Sequence, residues 1–272
     1  YKPELYVWVF LCMRNRLLYI ICIYLLSSTC KSQTPFSSWE LGVFGGGSYY
    51  LGEVNESHFA PINLALGPVL RYNYDQRLNV KIALTFGAIE GEDKNSYSSF
   101  NNDRNVSFKS DLMEISSVLE FNFFPFSSLD PKSYLVTPYG YIGFAYLNHS
   151  PQVKNNGDFY SGNLETEGES YSNHLFTIPM GLGVKFRMNR FGIALDWGIR
   201  KTFTDYLDDV STFYLPINPS VGNTQQDIGN LTEYGDVGDF KRGDKYSKDW
   251  YIFTGITFFV NLSKEDICRS FN

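Results

Sequence analysis

The sequence predicts an all-β fold: an eight-stranded antiparallel up-and-down transmembrane β-barrel of the outer-membrane type. Three observations predict it. Long stretches alternate with period two, and most run to ten residues or more. Globular strands average about 5–6 residues, whereas a tilted membrane strand needs about 9–11. The alternation puts large apolar residues on one face and small or charged residues on the other. The connections alternate between short and long, as the turns and outer loops of membrane barrels do.

Composition narrows the choice. Aromatic residues make up 17% of the 272-residue chain, with 20 Tyr and 23 Phe. Mean hydropathy is −0.21. A helical membrane protein needs runs of about 20 apolar residues, and a disordered chain lacks this many aromatics. A soluble β-sandwich suits the composition nearly as well, so strand length carries the distinction.

The N-terminus reads as an address. Met13 reads as the start, Arg14 and Arg16 form a basic n-region, residues 17–26 are apolar, and Ser32 supplies a small residue for cleavage. Residues 1–32 are thus assigned to an upstream extension plus a cleaved signal peptide, residues 33–262 to the barrel, and residues 263–272 to a periplasmic tail. Two alternatives stand beside this reading: lipidation at Cys30, and a retained helix that Arg14, Asn15 and Arg16 interrupt. Loss of residues 1–32 removes Lys2, Glu4, Arg14, Arg16 and Lys31, so basic residues fall from 23 to 19 and acidic ones from 29 to 28. A mature charge near −9 speaks against nucleic acid as a partner. Of four cysteines (Cys12, Cys22, Cys30, Cys268) only the last survives, which excludes an internal disulfide.

Five strands have assignable faces. In residues 62–74, Ile62, Leu64, Leu66, Pro68, Leu70, Tyr72 and Tyr74 oppose Asn63, Ala65, Gly67, Val69, Arg71 and Asn73. In residues 78–88, Leu78, Val80, Ile82, Leu84, Phe86 and Ala88 oppose Asn79, Lys81, Ala83, Thr85 and Gly87. In residues 113–123, Met113, Ile115, Leu119, Phe121 and Phe123 oppose Glu114, Ser116, Glu120 and Asn122. Residues 176–186 set Phe176, Ile178, Met180, Leu182, Val184 and Phe186 against Thr177, Gly181, Gly183 and Lys185, with Arg187 following. Residues 193–200 set Ile193, Leu195, Trp197 and Ile199 against Ala194, Asp196, Gly198 and Arg200. Strands are also predicted at 39–51, 134–147 and 250–262, where aromatics on both faces obscure the assignment.

Alternation alone does not distinguish inside from outside. Eight strands enclose an interior only wide enough for packed side chains. The small and charged face suits that interior, and the bulky face suits lipid. Short connections are expected at 75–76, 126–132 and 188–190, and longer ones at 53–59, 90–105, 148–172 and 206–246. Short turns on the periplasmic side put both termini there, in the outer membrane.

The predicted interior carries Arg71, Lys81, Glu114, Glu120, Lys185, Arg187, Asp196 and Arg200. Charges in a narrow, poorly solvated space must pair. They form either an ion-pair plug or the lining of a selective pore, and eight strands leave little room for the second. His58, His149 and His174 fall near strand ends or loops without a partnering motif and read as surface histidines. Neither G-x-S-x-G nor H-E-x-x-H occurs, so no catalytic residue, metal or cofactor is assigned and no enzyme is expected. Asp205, Asp208 and Asp209 are close enough to suggest Ca²⁺, but their spacing is not that of an EF-hand loop and they read as a solvated turn. Residues 211–246, rich in Asn, Gly, Pro and Asp, are long for a structureless loop.

Three stretches resemble the PorG-like outer-membrane barrel family associated with type IX protein secretion. The first is the glycine-rich opening strand, residues 39–53. The most distinctive is residues 200–211, containing Thr204, Asp205, Tyr206, Leu207, Asp208 and Asp209. The third joins Arg242-Gly243-Asp244 to Asp249-Trp250-Tyr251 at the last strand. The resemblance covers nearly all of the mature chain. It implies a non-enzymatic barrel that anchors a periplasmic secretion ring, with outer-membrane lipid and ring proteins as partners. The alternative is a small passive-transport or ligand-binding barrel.

Overall fold

Alternating side chains close into a cylinder here because every strand meets its neighbour in sequence. A computed structural model describes residues 37–52, 58–59, 61–92, 107–127, 133–155, 158–161, 172–204, 207 and 248–263. Nine strands are present among them: β1 (Ser38–Leu51), β2 (Asn63–Asn73), β3 (Leu78–Glu92), β4 (Ser107–Asn122), β5 (Val136–Asn155), β6 (Asp158–Ser161), β7 (His174–Met188), β8 (Phe191–Lys201) and β9 (Trp250–Asn261). All pairings are antiparallel. The sheet order runs β4-β3-β2-β1-β9-β8-β7-β5, and a β4–β5 pairing closes the ring. Eight strands therefore form an up-and-down barrel without a free edge. The ninth, β6, lies in a stretch expected to be loop. It pairs with the far end of β5, from Gln152↔Ser161 to Asn155↔Asp158, on the edge that β7 occupies lower down. The eight wall strands span 11 to 20 residues, enough to cross a bilayer when tilted.

The short connections have readable causes. Asp75 Oδ1 accepts from the amides of Arg77 (2.6 Å) and Leu78 (2.7 Å), closing the β2–β3 turn as an Asx turn. Asn189, with φ 57°, turns β7 into β8 in the left-handed region that asparagine tolerates. At the β1–β9 seam the backbones come so close that a Cβ on Gly46 would stand 2.1 Å from the Thr254 carbonyl oxygen. Gly143 meets the Ser117 carbonyl oxygen in the same way across β4–β5.

The faces settle the inside-out question. Leu64 (71%), Phe144 (76%) and Phe176 (74%) stand exposed on the outer wall, while Arg71, Glu114, Glu120 and Lys185 are at most 1% exposed. This is the inverse of a soluble barrel and the arrangement of a membrane-spanning one. The three strands with unassigned faces now resolve. Ser38, Glu40, Phe44 and Tyr50 of β1, Tyr139, Tyr141, Leu147 and His149 of β5, and Tyr251, Phe253, Thr257 and Phe259 of β9 are buried. Among the aromatics near strand ends, Tyr49, Tyr50, Phe126 and Tyr251 are buried. Trp39, Tyr74, Phe124 and Tyr134 stand exposed at the short-turn end, as a girdle requires.

Candidate functional site

The barrel interior is a column of hydrogen bonds and ion pairs. At the short-turn end the amides of Asn73 and Asn261 both donate to Ser38 Oγ, at 2.9 and 3.0 Å. With its amide oriented to suit its neighbours, Asn79 donates to Asn73 Oδ1 (2.9 Å) and accepts from Asn122 Nδ2 and Lys185 Nζ, both at 3.1 Å.

Above this layer Glu120 gathers three cations. Arg71 Nε lies 2.8 Å from Oε2, Lys185 Nζ 2.6 Å from the same oxygen, and Lys81 Nζ 3.3 Å from Oε1. Arg71 also reaches Glu40 Oε2 at 2.8 Å, and Lys81 reaches Asp196 Oδ1 at 3.2 Å. Asp196 accepts further from the Tyr139 hydroxyl and from Thr257 Oγ1 (3.1 Å). Nearer the loop end Glu114 Oε2 accepts from Arg200 Nε (3.3 Å) and the Tyr251 hydroxyl (2.7 Å), and Thr177 meets that hydroxyl at 3.1 Å.

Each cation also faces an aromatic ring. Arg71 lies over Phe259 (5.0 Å), Lys81 over Tyr141 (4.6 Å), Lys185 over Tyr139 (4.5 Å) and Arg200 over Phe253 (4.6 Å). This explains the aromatics on both faces of β5 and β9: the outer ones meet lipid and the inner ones cover cations.

Four acids (Glu40, Glu114, Glu120, Asp196) balance four bases (Arg71, Lys81, Lys185, Arg200) within the column, and a fifth buried acid, Asp249, lies apart from them at the loop end. Seven of the eight sequence-predicted interior charges belong to it. Arg187 stands apart at the short-turn rim, half-buried, with Nη2 donating to the Ser133 carbonyl oxygen (3.2 Å). Glu40 is the acid the sequence reading missed. Its signal was present, since it sits between the outward Trp39 and Leu41, and the predicted set held five bases against three acids.

The middle of the column leaves a cavity of about 30 Å³, lined by Phe44, Lys81, Thr85, Tyr141, Asp196 and Arg200 among others. That holds one or two waters. The loop end is closed by Tyr50, Phe108, Leu112, Leu147, Leu207 and Tyr251. Leu207 is fully buried, its amide donates to Asp249 Oδ2 (3.0 Å), and the other oxygen of Asp249 accepts from the Tyr50 hydroxyl (2.7 Å). Thr204, also of the distinctive run, accepts through its carbonyl from the Asp249 amide at 3.3 Å. Asp205, Tyr206, Asp208 and Asp209, the 211–246 stretch and the Arg242-Gly243-Asp244 tripeptide lie outside the described residues.

The histidines divide. His58 is exposed beside Tyr49, and His174 is exposed and stacks on Tyr146. His149, read from the sequence as a surface residue, is instead 1% exposed, because its position on β5 is inward. Among the described residues no cluster of three His, Cys, Asp or Glu is placed to hold a metal.

Fold and interior together define a membrane-spanning eight-stranded β-barrel with a filled lumen. The chain belongs to the family described as "Domain of unknown function (DUF6089)", whose model matches residues 15–269. No curated protein matches it. Solved structures of similar shape include a major outer membrane protein from Thermus thermophilus, at 11% identity and TM-score 0.40, with 83% of this chain and 100% of that one covered. Neisserial surface protein A is 11% identical at TM-score 0.39, covering 81% and 97%. Outer membrane protein OprG from Pseudomonas aeruginosa is 10% identical at TM-score 0.38, covering 83% and 97%.

Proposed function

We propose that this protein is a non-conducting outer-membrane barrel whose role is structural: it fixes an assembly to the membrane rather than passing solutes through it. The carrying observation is the lumen. The eight charges of the column pair with one another, and the cavity among them admits only one or two waters. Eight strands leave no wider channel once these side chains are in place. Export through the signal in residues 1–32, with short turns and both termini periplasmic, completes the reading. The outer apolar wall takes membrane lipid as its solvent.

The finer proposal is that the short-turn rim and the tail, residues 263–272, dock periplasmic proteins of a type IX secretion ring. The likeness of residues 39–53 and 200–211 to the PorG-like family supports it. Cross-linking in cells followed by co-purification tests it, with and without residues 263–272. Ring proteins recovered with the full chain and lost with the truncated one are expected. A barrel that never recovers them removes the ring from the proposal. Planar-bilayer recording tests the coarser reading: large stable channels from the wild-type protein would favour a passive-transport barrel and end it.

A further inference from the structure

The outer wall is not evenly covered. Across β4, β5, β7 and β8 the strand register aligns two outward rows, Phe121-Gly140-Leu182-Trp197 and Leu119-Ile142-Met180-Ile199. Gly140 leaves the first row without a side chain. The result is an apolar groove of about 570 Å³ on the lipid-facing surface, bounded at its short-turn end by Phe123. Four strands at about 4.8 Å spacing make the groove about 14 Å wide across the strands, running obliquely around the wall.

A charge stands at the groove's short-turn end. Arg77 is exposed on the β2–β3 turn, and its Nη1 donates to the Phe123 carbonyl oxygen at 2.8 Å. Phe124 stacked on Tyr134 (5.2 Å) lies beside it in sequence, where an interfacial girdle meets headgroups. An apolar trough bordered at the interfacial girdle by an exposed guanidinium matches one kind of occupant.

We propose that this groove is a binding site for a single glycerophospholipid of the leaflet on the short-turn side. One acyl chain lies over Gly140 between the two rows, and the phosphate meets Arg77. A guanidinium favours phosphate because its fork of donors matches the oxygens in geometry as well as charge. The site rests on the reading of the barrel as membrane-embedded, but not on its lumen being closed or on any protein partner.

The test uses the full chain purified in detergent, with native mass spectrometry after titration with palmitoyl-oleoyl phosphatidylglycerol. Wild type is expected to retain one lipid at concentrations where bulk annular lipid has been stripped. A Cβ at Gly140 meets nothing nearer than Leu182 Cδ2 at 3.5 Å, so Gly140→Leu fills the groove without displacing backbone. It should lower retention by about tenfold or more, the scale on which a blocked apolar subsite is felt. Gly45→Leu makes the same change on the outer face of β1, where the nearest neighbour is Leu66 Cδ2 at 3.4 Å, and should retain lipid as wild type does. Arg77→Gln should weaken phosphatidylglycerol several-fold and abolish any preference for it over a diacylglycerol with the same chains. Dibrominated phosphatidylglycerol should quench Trp197 in a Trp8→Phe, Trp39→Phe, Trp250→Phe background, and Gly140→Leu should relieve the quenching. No retained lipid in wild type, equal retention in Gly140→Leu, or loss of a dimer rather than a lipid in that variant would each overturn the site. Channel recording on the same preparation reads the lumen separately, so failure of one reading leaves the other standing.

Discussion

Glu120 is the position where the interior is most sharply exposed to test. Its carboxylate holds Arg71, Lys81 and Lys185 within 3.3 Å and is itself wholly buried. In Glu120→Gln the side chain keeps its shape, but the column passes from neutral to one excess positive charge. Arg71 retains Glu40 and Lys81 retains Asp196, whereas Lys185 is left with the amide oxygens of Asn122 and Asn79. Removing one partner of a buried ionic group costs about 3–5 kcal/mol, because the survivor stays desolvated. With a urea dependence of about 3 kcal/mol/M, the midpoint should fall by about 1 M or more. Folding into lipid vesicles, followed by tryptophan fluorescence and by the mobility of unboiled protein on gels, measures it. Two comparisons separate charge from packing. Glu40→Gln leaves Arg71 on Glu120 and should cost about 1–3 kcal/mol. Glu120→Gln with Lys185→Met restores neutrality and should recover about 2 kcal/mol relative to additivity, within the range of coupling between contacting groups. A Glu120→Gln protein within about 1 kcal/mol of wild type, or a double variant as unstable as the sum of its parts, would refute the neutral column.

Other outcomes follow from the same geometry. Gly46→Val places a Cβ 2.1 Å from the Thr254 carbonyl oxygen and should prevent β1 from closing on β9, read as loss of the heat-modifiable folded band, while Gly45→Ala, with no neighbour nearer than 3.4 Å, should fold normally. Phe144→Arg, near the middle of the outer wall of β5, should cost about 2–4 kcal/mol in a bilayer; a neutral or stabilising effect would mean that this wall faces water. Leu207→Ala removes the buried stopper over the loop end. Amide exchange at residues 202–204 and 249 should quicken about tenfold while the strands keep their global protection.

Strand existence and facing were legible wherever one face was uniformly bulky, as in β2, β3, β4, β7 and β8. Each predicted segment there became a wall strand, and β3 and β4 extended further toward the loops than the alternation of large residues suggested. The faces of β1, β5 and β9 were not legible because their inward positions carry Phe44, Tyr139, Tyr141, Phe253 and Phe259. Inner rings and outer rings look alike in a sequence until the cations they cover are placed by neighbouring strands. Phe259, for instance, meets Arg71 from β2, and Tyr139 meets Lys185 from β7. The same non-local pairing hid Glu40, whose partner lies 31 residues away. Two cues were available: its place between the outward Trp39 and Leu41, and an excess of five bases over three acids in the predicted interior. The ninth strand was missed because β6 is four residues long and has no alternation to read.

An ion column is a poor choice for stability alone, since well-packed apolar residues often serve as well. Its use here is better understood through register. Side chains alternate with period two, so a one-residue slip of any strand exchanges its inner and outer sets. With an apolar interior that slip would exchange one greasy face for another and cost little. With Arg71, Lys81, Glu120, Lys185 and Asp196 inside, the same slip drives an ion into hydrocarbon and strands its partners. The eight wall strands all carry at least one polar residue buried in the interior, from Ser38 and Glu40 on β1 to Thr257 and Asn261 on β9. Every seam of the barrel is therefore checked by charge or hydrogen bonding. The packed lumen is what fixes the positions of the turns and rim that a partner would meet.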